Sequence, residues 1–408
     1  MRRVESSLPP SSPPPRAQRL LSGPFLALSV ADLGYFTAAG LAIFTLPLFA
    51  TGPVGTDEAG AGLAFGAFSV TALLLRPYAG RLTDSWGRRP LLLFGTGLAA
   101  AAMLGHLVAD SLLVLVGLRL VLGVAEAAFF VAGFAAIADL APEGRAGEAL
   151  SYSSLGLYVG IAVGPLLGEA LIRIGGYDLA WIGASALCLL SGVLVVALIP
   201  ETRGDDDADP GPTPLIHRRA IAPSLAFATG LAAIFGFMSL ASLRAEELAL
   251  DVASTVLFGY GLVVVICRVA FARVPDRYPP LIVAGLSLLV IASGLALAGL
   301  TSGAATLLVA TALVAVGVAF MTPAFFAAIF ATAAPRQRGA ASGTASLFMD
   351  LGFGGGPMVL GLVAAAADIP LAFIVGAGLA TVAAASTRLV SRTLPPAASP
   401  RTGSPSAG

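Results

Sequence analysis

The chain has 408 residues, of which 57% are hydrophobic and only 11% are charged, and its mean hydropathy is +0.91. These values exclude an ordinary soluble globular protein. The 23 acidic residues balance 23 residues of the Lys and Arg class, all of them arginine because the chain contains no lysine. Cys188 and Cys267 lie inside apolar runs, a placement that indicates neither a disulfide framework nor a zinc site.

Twelve apolar runs follow one another along the chain, each able to cross a hydrocarbon core of about 30 Å as a helix rising about 1.5 Å per residue. The sequence therefore predicts an all-α integral membrane protein with twelve transmembrane helices. The first six spans are predicted at 23–49, 61–80, 90–109, 112–138, 147–171 and 178–199. The last six are predicted at 219–241, 252–273, 280–300, 304–332, 340–365 and 370–392.

Polar segments flank and divide these runs. Residues 1–20 and 394–408 are rich in Pro and Ser and are predicted to be disordered cytoplasmic tails. Residues 200–218 form a predicted cytoplasmic linker between an N-terminal six-helix bundle, 21–199, and a C-terminal six-helix bundle, 219–393. An even number of spans places both termini on the same side of the membrane.

The distribution of arginines predicts the orientation of the spans. With the N-terminus in the cytoplasm, the tails and inner loops hold eighteen arginines, whereas the outer loops hold only Arg173 and Arg244. Basic residues are typically retained on the cytoplasmic side in this way. We therefore expect a multi-pass protein of the cell (inner) membrane with both termini in the cytoplasm.

An internal repeat relates the two halves of the chain. The segment RPYAGRLTD at 76–84 aligns with RVAFARVPD at 268–276, an offset of 192 residues. The same offset pairs GIAVGP at 160–165 with GFGGGP at 352–357, and it pairs Gly147 with Gly339. Three stretches at one offset predict two six-helix halves of parallel topology, which can rock around a site between them.

The charged segment between the second and third spans reads GRLTDSWGRR at 80–89 and resembles the G-x-L-x-D-x-x-G-R-R/K signature of the major facilitator superfamily. We expect its first glycine to allow close helix approach, its second to permit a sharp turn, and its aspartate to face the N-terminus of a neighbouring helix. The alternative is a basic cluster that only fixes orientation. The resemblance implies an inner gate formed by Gly80, Arg81, Asp84, Gly87, Arg88, Arg89 and Asp139, the last pairing with Arg88 or Arg81.

The fifth predicted span carries Gly160, Gly164, Pro165 and Gly168, which resemble the superfamily's antiporter motif G-x-x-x-G-P-x-x-G-G. The glycines are predicted to form one smooth helix face, and the proline favours a bend. Glu169 departs from the motif, which has glycine at that position. The alternative is general packing of small residues, so the motif favours export without establishing it.

The fourth predicted span places Arg119, Gly123 and Glu126 on one helical face. Arg119 and Gly123 resemble the R-x-x-x-G core of a superfamily motif that is associated with proton transfer in proton-coupled members. Leu122 departs from that motif, which has glutamine there.

Charged residues at membrane depth are costly and are therefore candidates for function. Asp32, Glu126 and Asp350 are predicted near the midplane, so three carboxylates face one arginine, Arg119. Two carboxylates in a dry cavity do not both stay ionised, which indicates a proton-coupling and substrate site. The alternative is a structural ion pair of Arg119 with Glu126 or Asp32, together with a protonated Asp350 held by the backbone.

Asp350 precedes the run LGFGGGP, so the eleventh span is predicted to be loose or broken there. Tyr35, Tyr158 and Phe353 are candidates for lining a cavity, although each aromatic side chain has an alternative role in packing. Tyr158 occupies the repeat position of Asp350.

The resemblance covers nearly the whole chain and implies a secondary transporter, with proton-coupled efflux of small organic molecules as in the bacterial drug/proton antiporter and sugar-efflux branch. The alternatives are a proton-coupled importer and, from another class, a membrane-embedded enzyme or a non-transporting sensor. No convergent catalytic set is visible, and we expect no enzyme activity, no cofactor and no metal. The expected partners are a small-molecule substrate, protons and the lipid bilayer, with no nucleic acid and a monomeric chain.

Overall fold

The computed structural model describes residues 22–142, 146–203, 216–271, 278–333 and 338–393. Both predicted tails and most of the predicted linker lie outside these ranges. So do several positions used above to define orientation and the repeat, namely Arg145, Arg273, Asp276, Arg277 and Arg336.

The described residues form eleven α-helices and no β-strand. The helices of the first half are α1 Gly23–Thr51, α2 Glu58–Trp86, α3 Arg88–Gly105, α4 Leu112–Leu140 and α5 Ala146–Leu198. Those of the second half are α6 Arg218–Glu247, α7 Thr255–Ala270, α8 Pro280–Leu300, α9 Ala304–Ala331, α10 Arg338–Ala366 and α11 Ile369–Thr393.

Helix α5 accounts for two of the predicted spans. Its 53 residues include two non-helical glycines, Gly175 and Gly176, and the second has φ +73°. A positive φ is readily adopted by glycine, so the pair makes the turn between a first arm, 146–174, and a second arm, 177–198. With α5 counted twice and the shorter apolar helix α7 included, the described helices give twelve spans. The predicted all-α fold with two six-helix halves is confirmed.

The repeat is visible in how the helices pack. A Cβ added to Gly160 would lie 2.7 Å from the carbonyl carbon of Phe36 on α1. At the repeat position in the second half, a Cβ on Gly352 would lie 2.6 Å from the carbonyl oxygen of Ala228 on α6. Both contacts require glycine because the backbones of the two helices touch there. The antiporter-like glycines of α5 therefore pack against α1, and their repeat counterparts on α10 pack against α6.

The prediction of a loose or broken eleventh span is wrong. Helix α10 runs without interruption from Arg338 to Ala366 and includes Pro357. Four of its glycines, Gly352, Gly354, Gly356 and Gly361, lie at contacts with α6 or α2, and a Cβ on Gly361 would lie 2.6 Å from the carbonyl oxygen of Glu58. The glycines thus serve close packing of neighbouring helices and not local unwinding, because intrahelical hydrogen bonds are kept in an apolar environment.

The charged segment 80–89 lies at the junction of α2 and α3, and the expectation for its first glycine is wrong. The segment is not a loop: α2 continues to Trp86, Gly87 has φ +103°, and α3 begins at Arg88. Gly80 does not serve close helix approach, since no atom lies within 4 Å of a Cβ added there. Only Gly87 needs to be glycine for its backbone conformation.

Candidate functional site

A cavity of about 200 Å³ lies between the two halves and is lined by residues of both. Arg119 and Glu126 are the only charged side chains among its described lining residues. The rest of the wall is mostly aromatic and aliphatic and includes the predicted residues Tyr35, Tyr158 and Phe353. Concave, largely apolar sites with a few polar groups are typical of small-molecule binding.

Glu126 faces this cavity from the N-terminal half. It is half-buried on α4, and no described residue forms a hydrogen bond or an ion pair with its carboxylate. Arg119, two turns away on the same helix, instead donates to the backbone of α2: Nε to the carbonyl oxygen of Ala64 at 3.2 Å and Nη2 to that of Phe65 at 3.4 Å. The structural ion pair considered for Arg119 and Glu126 is therefore absent from the described contacts.

Asp32 is separated from the main cavity, so the expectation that the three carboxylates share one site is wrong. Its Oδ2 accepts a hydrogen bond of 2.8 Å from the Ser153 hydroxyl inside a second chamber of about 40 Å³. Phe36 and Phe130 line both spaces and stand between them. Asp32, on α1, lies beside Gly133 of α4, and Gly133 is two turns or about 10 Å beyond Glu126 along α4.

Asp350 is not held by backbone groups but by Arg76, which the sequence analysis did not include among the site residues. Nε of Arg76 donates to Oδ2 at 2.6 Å and Nη2 donates to Oδ1 at 2.9 Å, and the Asp350 side chain is fully buried. The Arg76 guanidinium also lies over the ring of Phe130, 4.6 Å from its centroid. This bidentate pair joins α2 of one half to α10 of the other, and the charge count of three carboxylates to one arginine is wrong.

The repeat supplies a counterpart to this pair across the other interface. Arg268 on α7 corresponds to Arg76, and Tyr158 on α5 corresponds to Asp350. Nη2 of Arg268 donates to the Tyr158 hydroxyl at 2.8 Å, and its guanidinium lies 4.2 Å from the centre of the same ring. Equivalent positions therefore make an ion pair on one side of the cavity and an arginine–tyrosine contact on the other.

Further contacts between the halves occur toward the side of the bundle away from the chain termini. A Cβ on Gly361 of α10 would lie 3.0 Å from Cα of Gly62 on α2. At the repeat-equivalent positions, the backbone N–H of Ser254 donates to Glu169 Oε2 at 2.8 Å. One interface is thus closed by two glycines and the other by a carboxylate at the N-terminus of α7.

Glu169 replaces the last glycine of the antiporter motif, and its contacts explain what the larger residue does. Its Oε1 also accepts two hydrogen bonds from Arg173, at 3.1 Å from Nε and 2.6 Å from Nη2. Arg173 donates in turn to the backbone carbonyl of Asp251 on the other half. The departure from the motif therefore adds a polar contact between the halves.

The predicted inner-gate residues are only partly brought together. Nε of Arg88 donates to Asp139 Oδ2 at 2.9 Å, one of the two pairings considered for Asp139. Asp84 is mostly exposed and lies 3.9 Å from Nη1 of Arg88. Arg81 is exposed.

Glu201, which the sequence reasoning missed, completes this cluster. Its Oε1 accepts from the backbone N–H of Arg88 at 2.9 Å and its Oε2 from that of Arg89 at 3.1 Å, so it binds the N-terminus of α3. The feature of the sequence that could have indicated its role is its position in the predicted linker, just after an apolar span and close to Arg203. A Cβ on Gly87 would lie 2.7 Å from Cδ of Glu201, so the glycine is needed for this contact as well as for its φ.

We expect the contribution of Glu201 to stability to depend on pH. Partial burial acts to raise the pKa of this carboxyl, but hydrogen bonds from the backbone N–H groups of Arg203, Arg88, Arg89 and Thr202 outweigh burial and hold the pKa below its usual value. The stabilisation is therefore complete above the unfolded-state pKa of about 4.3 and is lost as the pH falls through the lower folded-state pKa.

The measurement is the melting temperature in detergent of wild type and Glu201→Gln between pH about 6 and about 3, where the difference is expected to shrink toward zero as the carboxyl titrates. Asp110→Asn, which removes a carboxylate at an exposed position, is the control. A Glu201→Gln difference that stays constant over this range would contradict the assignment.

Proteins that resemble this chain over most of its length are transporters of one family. The chain matches the family profile of the Major Facilitator Superfamily over residues 28–303 and 224–407. It is 27% identical over 397 residues to an uncharacterised MFS-type transporter of Salmonella typhimurium, covering 93% of this chain and 99% of the relative. It is 29% identical over 393 residues to the uncharacterised MFS-type transporter YhhS of Escherichia coli K12, covering 91% and 94%.

Solved structures agree on the fold. A bacterial homologue of the human lysosomal transporter Spinster, inward-facing and occupied, superimposes with a TM-score of 0.75 at 16% identity, covering 91% of this chain and 96% of that one. The matches to the profile and to full-length relatives agree with the twelve spans, the internal repeat and the cavity between the halves. The chain belongs to the Major Facilitator Superfamily and is a multi-pass secondary transporter.

Proposed function

We propose that this transporter is a proton-coupled antiporter that exports small organic molecules across the cell (inner) membrane by alternating access. The observation that carries the proposal is the Glu126 carboxylate, which faces an apolar cavity between the halves without a described partner. An intramembrane carboxylate in such surroundings binds a proton or a cationic group readily, because either one removes its unpaired charge.

Exchange follows if proton and substrate exclude one another at Glu126. A basic group of the substrate pairs with the ionised carboxylate, whereas a proton neutralises the carboxylate and weakens that contact. The other carboxylates have other partners: Asp350 pairs with Arg76, and Asp32 accepts from Ser153 in a separate chamber. Glu126 is therefore our choice for the coupling residue, and Arg119 stays a candidate for contact with substrate because it lines the same cavity.

Alternating access requires that contacts between the halves break on one side while they form on the other. The contacts Gly62–Gly361 and Ser254–Glu169 lie on the side away from the chain termini, and we propose that they separate when the cavity opens there. The arginine distribution supports placing the termini in the cytoplasm, so this side faces outward. The gate cluster Arg88–Asp139 then lies on the cytoplasmic side.

The test uses inside-out vesicles with ethidium, a planar aromatic cation, as the probe. An acidic vesicle interior is expected to drive ethidium uptake by the wild type, and Glu126→Gln is expected to reduce this proton-driven uptake by at least about tenfold, the scale of losing a contact with a charged group. Asp110→Asn is the matched control, since that carboxylate is exposed, and it should retain wild-type uptake.

Two results would contradict the proposal. Absence of acid-driven uptake by the wild type would exclude antiport of this probe, and accumulation driven by acid on the opposite face would indicate an importer. Full proton-coupled uptake by Glu126→Gln would show that another group carries the proton.

A further inference from the structure

We propose that Arg268 is an anion-binding residue of the transport site and that the substrate is amphoteric, with a basic nitrogen near Glu126 and a carboxylate near Arg268. This inference rests on the proposed function, because it assigns a substrate class to the same cavity. Arg76 and Arg268 occupy equivalent positions in the internal repeat, but Arg76 pairs with a carboxylate and Arg268 contacts a tyrosine hydroxyl.

At its position in the repeat, Arg76 binds a carboxylate. Its guanidinium binds Asp350 through two parallel hydrogen bonds, at 2.6 Å and 2.9 Å, the geometry in which arginine recognises a carboxylate most strongly. Arg268 is the repeat equivalent, and the residue in place of the aspartate is Tyr158. Among the described residues, no carboxylate lies within ion-pair distance of Arg268.

The immediate surroundings of Arg268 leave it capacity for an anion. The Tyr158 hydroxyl accepts a hydrogen bond from Nη2 of Arg268, and Nε of Arg268 is buried with no hydrogen-bond partner among the described residues. A buried donor left without an acceptor is unfavourable, and an arginine has two adjacent donors for a bidentate carboxylate. A carboxylate that displaced the Tyr158 hydroxyl would therefore satisfy this guanidinium in the way Asp350 satisfies Arg76.

Arg268 lies directly behind a residue of the cavity wall: it contacts Tyr158, which lines the central cavity. The Arg268 guanidinium lies 4.2 Å from the centroid of the Tyr158 ring. Tyr260, eight residues before Arg268 on α7, also lines the cavity. Arg119 is less suited to hold a substrate anion because Nε and Nη2 already donate to carbonyl oxygens of α2. The positive group with free capacity is thus on the second half.

Near the cavity, Glu126 on α4 and Arg268 on α7 have no ion-pair partner among the described residues, and they lie on opposite halves of the transporter. A molecule with groups of both signs can contact both halves at once, which links its binding to their relative position. Its body would occupy the aromatic part of the cavity, where Phe36, Phe130 and Phe353 supply apolar surface. A proton on Glu126 still excludes the basic group, so antiport is retained.

Three matched probes test this substrate class: 3-(2-naphthyl)alanine with both charges, its carboxamide with only the ammonium, and 3-(2-naphthyl)propanoate with only the carboxylate. Binding to purified full-length protein is measured by calorimetry. The wild type is expected to bind the amino acid at least about tenfold more tightly than either matched compound, since each charged contact is worth roughly that factor.

The variants should separate the two contacts. Arg268→Gln is expected to weaken the amino acid and the propanoate by about tenfold or more and to leave the carboxamide unchanged. Glu126→Gln is expected to weaken the amino acid and the carboxamide and to spare the propanoate. Tyr158→Phe removes the hydroxyl that competes for Arg268, so binding of the two acids should become tighter. Arg388→Gln, at an exposed position on α11, is the control and should change none of the affinities.

The proposal is overturned if the wild type does not favour the amino acid over both matched compounds, or if Arg268→Gln weakens the carboxamide as much as the acids. Its failure is distinguishable from failure of the proposed function. Proton-driven ethidium uptake that depends on Glu126, together with no preference for the carboxylate, would refute the Arg268 subsite alone, whereas absence of proton-driven uptake would refute antiport.

Discussion

Replacing Asp350 by asparagine is expected to destabilise the protein by about 3 to 5 kcal/mol and to abolish transport, because it leaves the Arg76 guanidinium charged and without its partner inside the protein. The pair is bidentate, and the exposed fractions of the two side chains are 11% for Arg76 and 0% for Asp350. Replacing either partner alone should therefore lower the free energy of unfolding strongly. The measurement is the midpoint of unfolding in detergent, together with uptake in vesicles.

A double variant distinguishes an uncompensated charge from a simple loss of contacts. Arg76→Met combined with Asp350→Leu removes both charges and should regain most of the stability lost in Asp350→Asn, because apolar groups can replace a buried ion pair. The matched control is Glu247→Gln, which breaks the pair between Arg244 and the half-exposed Glu247 and should cost about 1 kcal/mol or less. Wild-type stability of Asp350→Asn would contradict the assignment of a buried ion pair.

Replacing Gly361 by valine is expected to reduce transport by at least about tenfold, since overpacking typically costs 1 to 3 kcal/mol in the state that needs the contact. A Cβ at this position would lie 2.6 Å from the carbonyl oxygen of Glu58 and 3.0 Å from Cα of Gly62, both of them backbone atoms. Backbone atoms cannot move aside as a flexible side chain can. The valine side chain would therefore force α2 and α10 apart on the side of the bundle away from the termini. We expect the variant to favour the conformation open on that side.

Gly355 provides a control on the same helix, because no atom lies within 4 Å of a Cβ added there. Gly355→Val should retain transport, while Gly361→Val should increase the labelling of a cysteine placed at Ser69 by a membrane-impermeant thiol reagent. Equal labelling of the two variants, or normal transport by Gly361→Val, would show that contact at these glycines is not needed for closure.

The helices and their order were predictable because each span is a long apolar run whose length is set by the bilayer. The ninth predicted span, 280–300, coincides with α8, Pro280–Leu300. Boundaries differ most where charged residues continue a helix beyond the apolar run, as at Arg81–Trp86 of α2. The glycines of the fifth span were also identified correctly as a packing face, since spacing of small residues is a local property.

The site was predictable only in part. Arg119 and Glu126 were recognised because a charge in an apolar run is conspicuous, and both line the cavity. Arg76 was not, since it stands at the edge of an apolar run beside a basic segment and its partner Asp350 is 274 residues away. Glu201 was missed for the same reason: it binds the start of α3 from 113 residues further along the chain.

The sequence by itself determined the class of the protein, the number of its spans and the repeat. Hydropathy and the 192-residue offset between repeats can be read along the chain without knowing which helices are in contact. Only the tertiary structure decided which buried charges are paired. Pairing depends on which helix faces approach within about 3 Å, the range of a hydrogen bond, and on side chains from distant parts of the chain. In the packed structure Asp350 pairs with Arg76, and Asp32 accepts a hydrogen bond from Ser153. Glu126 faces the cavity without a described hydrogen-bond or ion-pair partner.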